Sequence, residues 1–178
     1  MSAPHDAPPI ATLIRRYRIV LGAFIAGLIL SGVTAFPLLY ELEILARLLG
    51  IPADAVPSSL TGLPFWIATV RDGLRATHAS YPWLAYGTDW LAFGHITIAL
   101  FFIGPWREPV ANAWVLKVGL VACVGVIPLA LICGPIREIP FYWRLIDCSF
   151  GIFGALPLLY CLKLTRQIRS QTSPSHPA

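Results

Sequence analysis

The stretch WVLKVGLVACVGVIPLALIC, from Trp114 to Cys133, carries a single charged side chain, Lys117, in 20 residues. A helix of about 20 mostly apolar residues is long enough to cross the hydrocarbon core of a bilayer. Three other runs have the same character, so the sequence predicts four membrane spans, at about residues 18–39, 82–103, 114–133 and 140–162. Because these runs are continuous and do not alternate, they exclude a transmembrane β-barrel.

The composition agrees with this interpretation, because 57% of the 178 residues are hydrophobic and only 12% are charged. Soluble domains carry about 25% charged residues. The predicted fold is an all-α integral membrane protein, a four-helix bundle forming one domain over residues 13–166. The flanking stretches, residues 1–12 and 167–178, have the composition of disordered tails. The first run is too long for a typical signal peptide, and we interpret it as a retained span.

The distribution of lysine and arginine predicts the orientation of the chain. With a cytoplasmic N-terminus, eight of these residues near the spans lie inside and five lie outside. The inner set is Arg15, Arg16, Arg18, Arg107, Lys117, Lys163, Arg166 and Arg169, and the outer set is Arg47, Arg71, Arg75, Arg137 and Arg144. Both termini are therefore predicted to be cytoplasmic. The net charge of +4 reflects this topology, and no basic cluster with interleaved aromatics indicates nucleic-acid binding.

The longest connection, residues 40–81, is predicted to lie outside the cytoplasm. Leu39–Leu49 and Pro64–His78 show apolar residues at helical spacing with charges between them, which predicts short amphipathic helices at the membrane surface. They form either a structural cover over the outer helix ends or a lid over a site there. In the first span, Ala23, Gly27, Ser31 and Ala35 form a stripe of small residues, which indicates packing within the bundle or a homodimer face.

Charged residues inside two spans are the most informative feature of the sequence. Asp89 follows Pro82 by seven residues, and Asp147 follows Pro140 by the same number. Both helices are predicted to enter from the outer face, so the two carboxylates lie at a similar depth, roughly 10 Å below the helix starts. Arg144 precedes Asp147 by three residues, a spacing that allows an ion pair on one helix face.

Two interpretations of Asp89, Arg144 and Asp147 remain open. The first is a structural clamp between two helices. The second is a site: if Arg137 in the loop above stays in water, two carboxylates share one cation, and one of them is expected to bind a proton. Charges inside membrane spans face the bundle interior, and we expect these three side chains to form an outward-facing polar pocket beneath the amphipathic helices of the outer loop.

His95 and the four cysteines give no support for a metal or a cofactor. His95 lies six residues beyond Asp89, about 9 Å deeper and on another face, so the two are poorly placed to share zinc. A second histidine at membrane depth, which bis-histidine haem would require, is absent from the sequence. Without a CxxC pair, the cysteines are expected to be free thiols, with a bridge between Cys133 and Cys148 as the alternative.

Aromatic residues crowd the predicted outer ends of the second and fourth spans: Tyr81, Trp83, Tyr86, Trp90, Phe141, Tyr142 and Trp143. They are typical of an interfacial belt, and they could also wall a pocket for a quinone or a sterol-like lipid. We therefore expect a non-catalytic membrane protein without a cofactor that binds a small amphipathic ligand or a partner subunit. The alternative is a membrane enzyme of lipid or quinone chemistry, or a small proton-coupled carrier, that uses Asp89, Asp147 and His95.

Three segments, YGTDWLAFGHI (Tyr86–Ile96), VIPLALICGPI (Val126–Ile136) and PFYWRLIDCSFG (Pro140–Gly151), resemble a group of bacterial hypothetical membrane proteins with similar motifs in the same order. The resemblance covers roughly residues 80–162 and implies a bacterial inner membrane location, without an activity. In topology the chain is also similar to the sterol isomerase and sigma-2 receptor family. Their His and Glu pattern is not reproduced, because Ala99 and Leu100 follow His95 where acids would be needed.

Overall fold

The chain folds almost entirely into helices. The computed structural model describes residues 8–172, so the predicted tail residues 1–7 and 173–178 lie outside the described part. Within that part the α-helices are α1 (Ile10–Ala35), α2 (Leu38–Leu48), α3 (Gly62–Ser80), α4 (Tyr86–Phe101), α5 (Ile103–Arg107), α6 (Ala113–Ile136) and α7 (Phe141–Thr172). Short 3₁₀ turns occupy Pro57–Ser59 and Pro82–Ala85.

Four helical segments are long and apolar enough to cross a membrane. They are Ile10–Ala35, Pro82–Arg107, Ala113–Ile136 and Phe141–Thr172, close to the four predicted spans. Many of their large apolar side chains are exposed; Val121 is 71% exposed and Phe153 is 68% exposed. Apolar surface on this scale is costly in water and favourable in lipid, which indicates a membrane protein.

The first and last helices extend further than the apolar runs. Helix α1 begins at Ile10 and α7 continues to Thr172, so residues 10–12 and 167–172 are helical where the sequence predicts disorder. Packing explains the extension of α7, because Ile168 is buried. Gln171 also donates a hydrogen bond from Nε2 to the carbonyl of Pro8, at 3.2 Å.

The described chain forms two compact units. The first contains the residues up to Gly27 and those from Ala99 onward, and the second is Leu28–Ile98. In the first unit α6 packs against α7. A Cβ at Gly151 would collide with the carbonyl oxygen of Cys123, so a glycine is needed where the two backbones meet. Small residues such as Gly151 allow helices in a membrane to pack this closely.

A tight turn joins α6 to α7. Helix α6 continues to Ile136, three residues beyond the predicted end of the third span at residue 133. Glu138 then adopts a positive φ of 58°, and the amide of Ile139 bonds back to the carbonyl of Gly134 at 3.0 Å. This hydrogen-bonding pattern caps the helix C-terminus and reverses the chain.

In the second unit α1 approaches α4 at Gly32. A Cβ there would lie 2.9 Å from the carbonyl oxygen of Ala92 and 3.1 Å from Cβ of His95. The close contact is therefore one residue beyond Ser31 of the predicted small-residue stripe. At Gly27, a member of the stripe in the first unit, an added Cβ would meet nothing within 4 Å.

The connection between the first two spans contains α2 and α3, near the two stretches with helical periodicity. Helix α1 ends before Phe36 and Pro37, and α2 starts at Leu38. The amide of Glu41 bonds to the carbonyl of Pro37 at 3.0 Å, which forms the first turn of α2. Helices α2 and α3 pack against each other within the second unit.

Candidate functional site

The second unit contains a groove of about 390 Å³, which we call the α2–α3 groove. It forms where the chain breaks at Pro37 and again at Pro82, because these breaks bring the starts of α2 and α4 beside the end of α3. Its lining residues are Phe36, Pro37, Leu38, Leu39, Tyr40, Glu43, Leu74, Thr77, His78, Leu84, Ala85 and Thr88. Most of these side chains are apolar, and a few polar groups lie among them.

The polar groups of this groove differ in how they are already bonded. Glu43 accepts two hydrogen bonds from Arg75, and the hydroxyl of Thr88 donates to the carbonyl of Ala85 at 2.6 Å. Among the described residues, the side chains of His78 and Thr77 have no hydrogen-bond partner. These two groups are therefore available to a molecule in the groove.

A pair of arginines on α3 holds the second unit together beside the groove. Arg75 joins α3 to Glu43 on α2 and also donates to the carbonyl of Ala53 at 3.3 Å. Arg71 is only 2% exposed and pairs with Asp72 at 2.9 Å. Its Nη1 donates to the carbonyl of Pro52 at 3.1 Å, and Nη2 reaches the carbonyl of Ala55 at 3.5 Å.

These contacts were not predicted from the sequence. Arg71 and Arg75 were considered there only among the positively charged residues on the outer side of the membrane. The spacing of the two arginines could have indicated these contacts. The two arginines are four residues apart on one face of a helix, beside Asp72 and within a chain segment that also holds Glu43. A buried charge requires partners, and the carbonyls of the 52–55 turn provide them.

Asp89 lies in a second groove of the same unit. This aromatic groove has a volume of about 290 Å³ and is lined by Phe36, Tyr86, Asp89, Trp90 and Phe93. Trp90 makes edge-to-face contacts with Tyr86 and Phe93, both with ring centroids 5.9 Å apart. The carboxylate is half-buried, and no cation within residues 28–98 pairs with it. Phe36 contributes to both grooves.

His95 is bonded within its own helix. Its Nδ1 lies 2.9 Å from the carbonyl oxygen of Leu91, one turn earlier on α4. A carbonyl can only accept, so Nδ1 carries the hydrogen and Nε2 is left as the other polar atom of the ring. The hydrogen-bond partner of His95 therefore lies on its own helix and not on a neighbouring one.

Arg144 and Asp147 belong to the first unit, and within residues 99–172 they form no ion pair. The stem of Arg144 packs directly against Gly134, and its guanidinium lies 5.2 Å from the centre of the Phe141 ring. Side chains on an α-helix point towards the helix N-terminus. The side chain of Arg144 therefore points away from Asp147, which lies one turn nearer the C-terminus. The predicted contact between the two is therefore not made.

The remaining polar groups near this pair also lack charged partners. The Nε of Arg144 is buried without a hydrogen-bond partner among the described residues. Asp147 is half-buried, and Arg137 is exposed in the turn after α6. Neither Asp147 nor Arg137 takes part in an ion pair within residues 99–172.

The described residues contain no cluster of thiols and carboxylates that could form a metal site. No group of three His, Cys, Asp or Glu side chains within residues 8–172 could hold a metal ion. All four cysteines are free, so the alternative of a bridge between Cys133 and Cys148 is not formed. Cys148 is buried and Cys133 is exposed.

The strongest arrangement for binding is thus the α2–α3 groove with its neighbour around Asp89, because apolar walls and available polar groups occur together there. In comparisons with known proteins, no family model, curated protein or solved structure matches the chain.

Proposed function

We propose that this protein is a non-catalytic, multi-pass membrane protein that binds a small, flat, amphipathic molecule of the quinone class in the α2–α3 groove. The volume of the groove, about 390 Å³, carries the proposal. It falls within the range of roughly 300–1,000 Å³ that is typical of small-molecule sites. Leu38, Leu74 and Leu84 supply apolar contact for a ring and the start of its tail.

The polar groups of the groove favour a ligand with accepting oxygens. His78, Thr77 and Tyr40 can each donate a hydrogen bond, and a quinone carbonyl can only accept. Glu43 is the one carboxylate in the lining, and Arg75 already occupies it. The groove therefore offers donors without an uncompensated negative charge.

The arginines of α3 support a groove that exists before the ligand arrives. Arg75 ties α2 to α3, and Arg71 ties the 52–55 turn to α3. A preformed site avoids the entropic cost of ordering its walls on binding. The same contacts would keep the donors of His78 and Thr77 at constant separation from the leucine walls.

The charged residues of the spans are a second part of the proposal. We propose that Asp89 assists binding from the aromatic groove, since Phe36 borders both grooves. Of the polar cluster predicted from the sequence, Asp89 and His95 belong to this unit, and Asp89 would then act in a binding site and not in a clamp. Asp89→Asn separates the two roles: weaker ligand binding in a folded protein supports the site, and loss of the folded protein supports the clamp.

We also propose that the protein resides in a bacterial inner membrane with both termini in the cytoplasm. The excess of lysine and arginine at the predicted inner ends supports this orientation. Fusion of a fluorescent protein or of alkaline phosphatase after Thr172 tests it. Fluorescence without phosphatase activity is the expected result, and the reverse pattern contradicts the orientation.

Native mass spectrometry of the full chain, purified in mild detergent, tests ligand binding. Decylubiquinone is the probe, and cholesteryl hemisuccinate represents a sterol-like lipid. We expect one bound decylubiquinone per chain, lost in Leu74→Trp because the indole fills the groove. His78→Ala should weaken binding about tenfold, the equivalent of one hydrogen bond of about 1.4 kcal/mol.

The matched control is Leu48→Trp, which introduces the same indole on α2 at a position that is 79% exposed and outside the groove lining. It should retain the probe. Equal retention by both tryptophan variants, or preference for the sterol probe, contradicts the proposal. The same spectra report a homodimer or a retained partner subunit, which is the other binding role that the sequence predicts.

A further inference from the structure

A small cavity in the first unit concentrates positive charge. It has a volume of about 100 Å³, and its lining residues are Ala113, Lys117, Leu162, Thr165, Arg166 and Arg169. We call it the basic cavity. Three of its six lining residues are cations, and none is acidic. It lies in a different unit from the α2–α3 groove, so its role is independent of the proposed quinone binding.

The fold brings these cations together from two helices. Helices α6 and α7 pack against each other and are joined by a short turn, so the start of α6 lies beside the end of α7. Lys117 is in the second turn of α6. Arg166 and Arg169 are three residues apart on α7 and therefore share one face.

No ion pair offsets this charge within residues 8–172. The salt bridges of that part of the chain all lie on α2 and α3, and none includes Lys117, Arg166 or Arg169. Like charges at this spacing oppose each other, and an anion in the basic cavity would offset this repulsion.

The sequence around the basic cavity favours a position at headgroup depth. Leu162 marks the end of the predicted fourth span, and charged residues begin directly after it. On the same unit, Trp106 donates from Nε1 to the carbonyl of Arg18 at 3.0 Å, and the Arg18 guanidinium lies 5.4 Å from the Trp106 ring. Tryptophan beside arginine is typical of the membrane interface.

We propose that the basic cavity binds a phosphate group, and specifically the phosphate of an anionic phospholipid headgroup. A volume of about 100 Å³ is enough for a phosphate group. Arg166 and Arg169 can each donate several hydrogen bonds to phosphate oxygens, and Lys117 adds a point charge. Leu162 provides apolar contact beside them.

Native mass spectrometry of the full chain with added phosphatidylglycerol or phosphatidylcholine tests this site. The test variant is Lys117→Gln with Arg166→Gln and Arg169→Gln. The matched control is Arg16→Gln with Arg107→Gln and Lys163→Gln, which removes the same charge from the same predicted side of the membrane but from residues outside the basic cavity. Circular dichroism confirms that both variants are helical.

We expect the wild type and the control to hold one phosphatidylglycerol at least tenfold more tightly than phosphatidylcholine, and the test variant to lose this preference. Inorganic phosphate at millimolar concentration should not displace the lipid. Displacement by phosphate would identify a free anion as the ligand and overturn the assignment to a headgroup. Equal losses in both variants, or no loss in the test variant, would show that the cavity binds no phosphate group specifically.

Discussion

Arg75 donates two hydrogen bonds to Oε1 of Glu43, from Nε at 3.1 Å and from Nη2 at 2.9 Å. The two residues are 32 positions apart in the chain, so the contact joins two different helices. It lies beside the α2–α3 groove, of which Glu43 is a lining residue. The pair therefore links the stability of the second unit to the shape of the groove.

Removing this pair should have a small effect on stability. Both side chains are about one third exposed, at 38% and 33%, and ion pairs of this kind contribute about 0.2–1 kcal/mol. A double-mutant cycle of Arg75→Ala and Glu43→Ala, measured by unfolding in mixed micelles, should give a coupling within that range. A coupling indistinguishable from zero would mean that the two helices are held by packing alone.

Arg71→Ala should destabilise the second unit more strongly than Arg75→Ala. Arg71 is 2% exposed, and its loss leaves the carbonyls of Pro52 and Ala55 without their donor. Hydrogen bonds to charged groups contribute about 1.5–3 kcal/mol, so we expect a loss of about 2–3 kcal/mol. Hydrogen exchange should also rise in the 52–56 turn and remain unchanged in α6.

Arg71→Lys is the control for the charge at this position. It keeps the positive charge but cannot match the several donors of the guanidinium, so its stability should fall between those of the wild type and Arg71→Ala. If the lysine variant equals the wild type, the charge alone matters and the hydrogen bonds to the 52–55 turn are unimportant.

Gly151→Ala should separate α6 from α7. The new Cβ would collide with the backbone carbonyl of Cys123, which cannot move away as a side-chain end can. Overpacking of this kind costs about 1–3 kcal/mol. The measurement is the free energy of unfolding in mixed micelles.

Gly125→Ala is a matched control on α6, because a Cβ there meets nothing within 4 Å. Alanine in a helix is favoured over glycine by about 0.5–1 kcal/mol, so this variant should be neutral or more stable. Similar losses for Gly151→Ala and Gly125→Ala would contradict the close approach of the two helices at Cys123.

Trp106→Phe should weaken the contact between α5 and the start of α1. It removes the hydrogen bond to the carbonyl of Arg18 and weakens the cation–π contact, at a cost of about 1 kcal/mol. Trp114→Phe removes an indole that is 61% exposed and should change stability little. Thermal unfolding in detergent compares the two, and equal shifts would contradict the role of Trp106.

The candidate site was only partly accessible from the sequence. Asp89 stands out as a charge in an apolar run, and the structure places it in an aromatic groove. Arg144 also stands out, but its direction was not predictable from a spacing of three residues. The rotamer of a long side chain is chosen by its neighbours, here Gly134 and Phe141.

The sequence by itself determined the four apolar helices and the breaks between them. Both depend on local chemistry: runs of about 20 apolar residues are driven into lipid as helices, and prolines such as Pro37 and Pro82 interrupt them. Only the tertiary structure decided that α1 and α7 extend beyond these runs, and that Arg71 and Arg75 bind the 52–55 turn and α2. These features depend on contacts between residues that are distant in the chain. A local sequence pattern does not contain the hydrogen-bonding and packing free energies of such contacts.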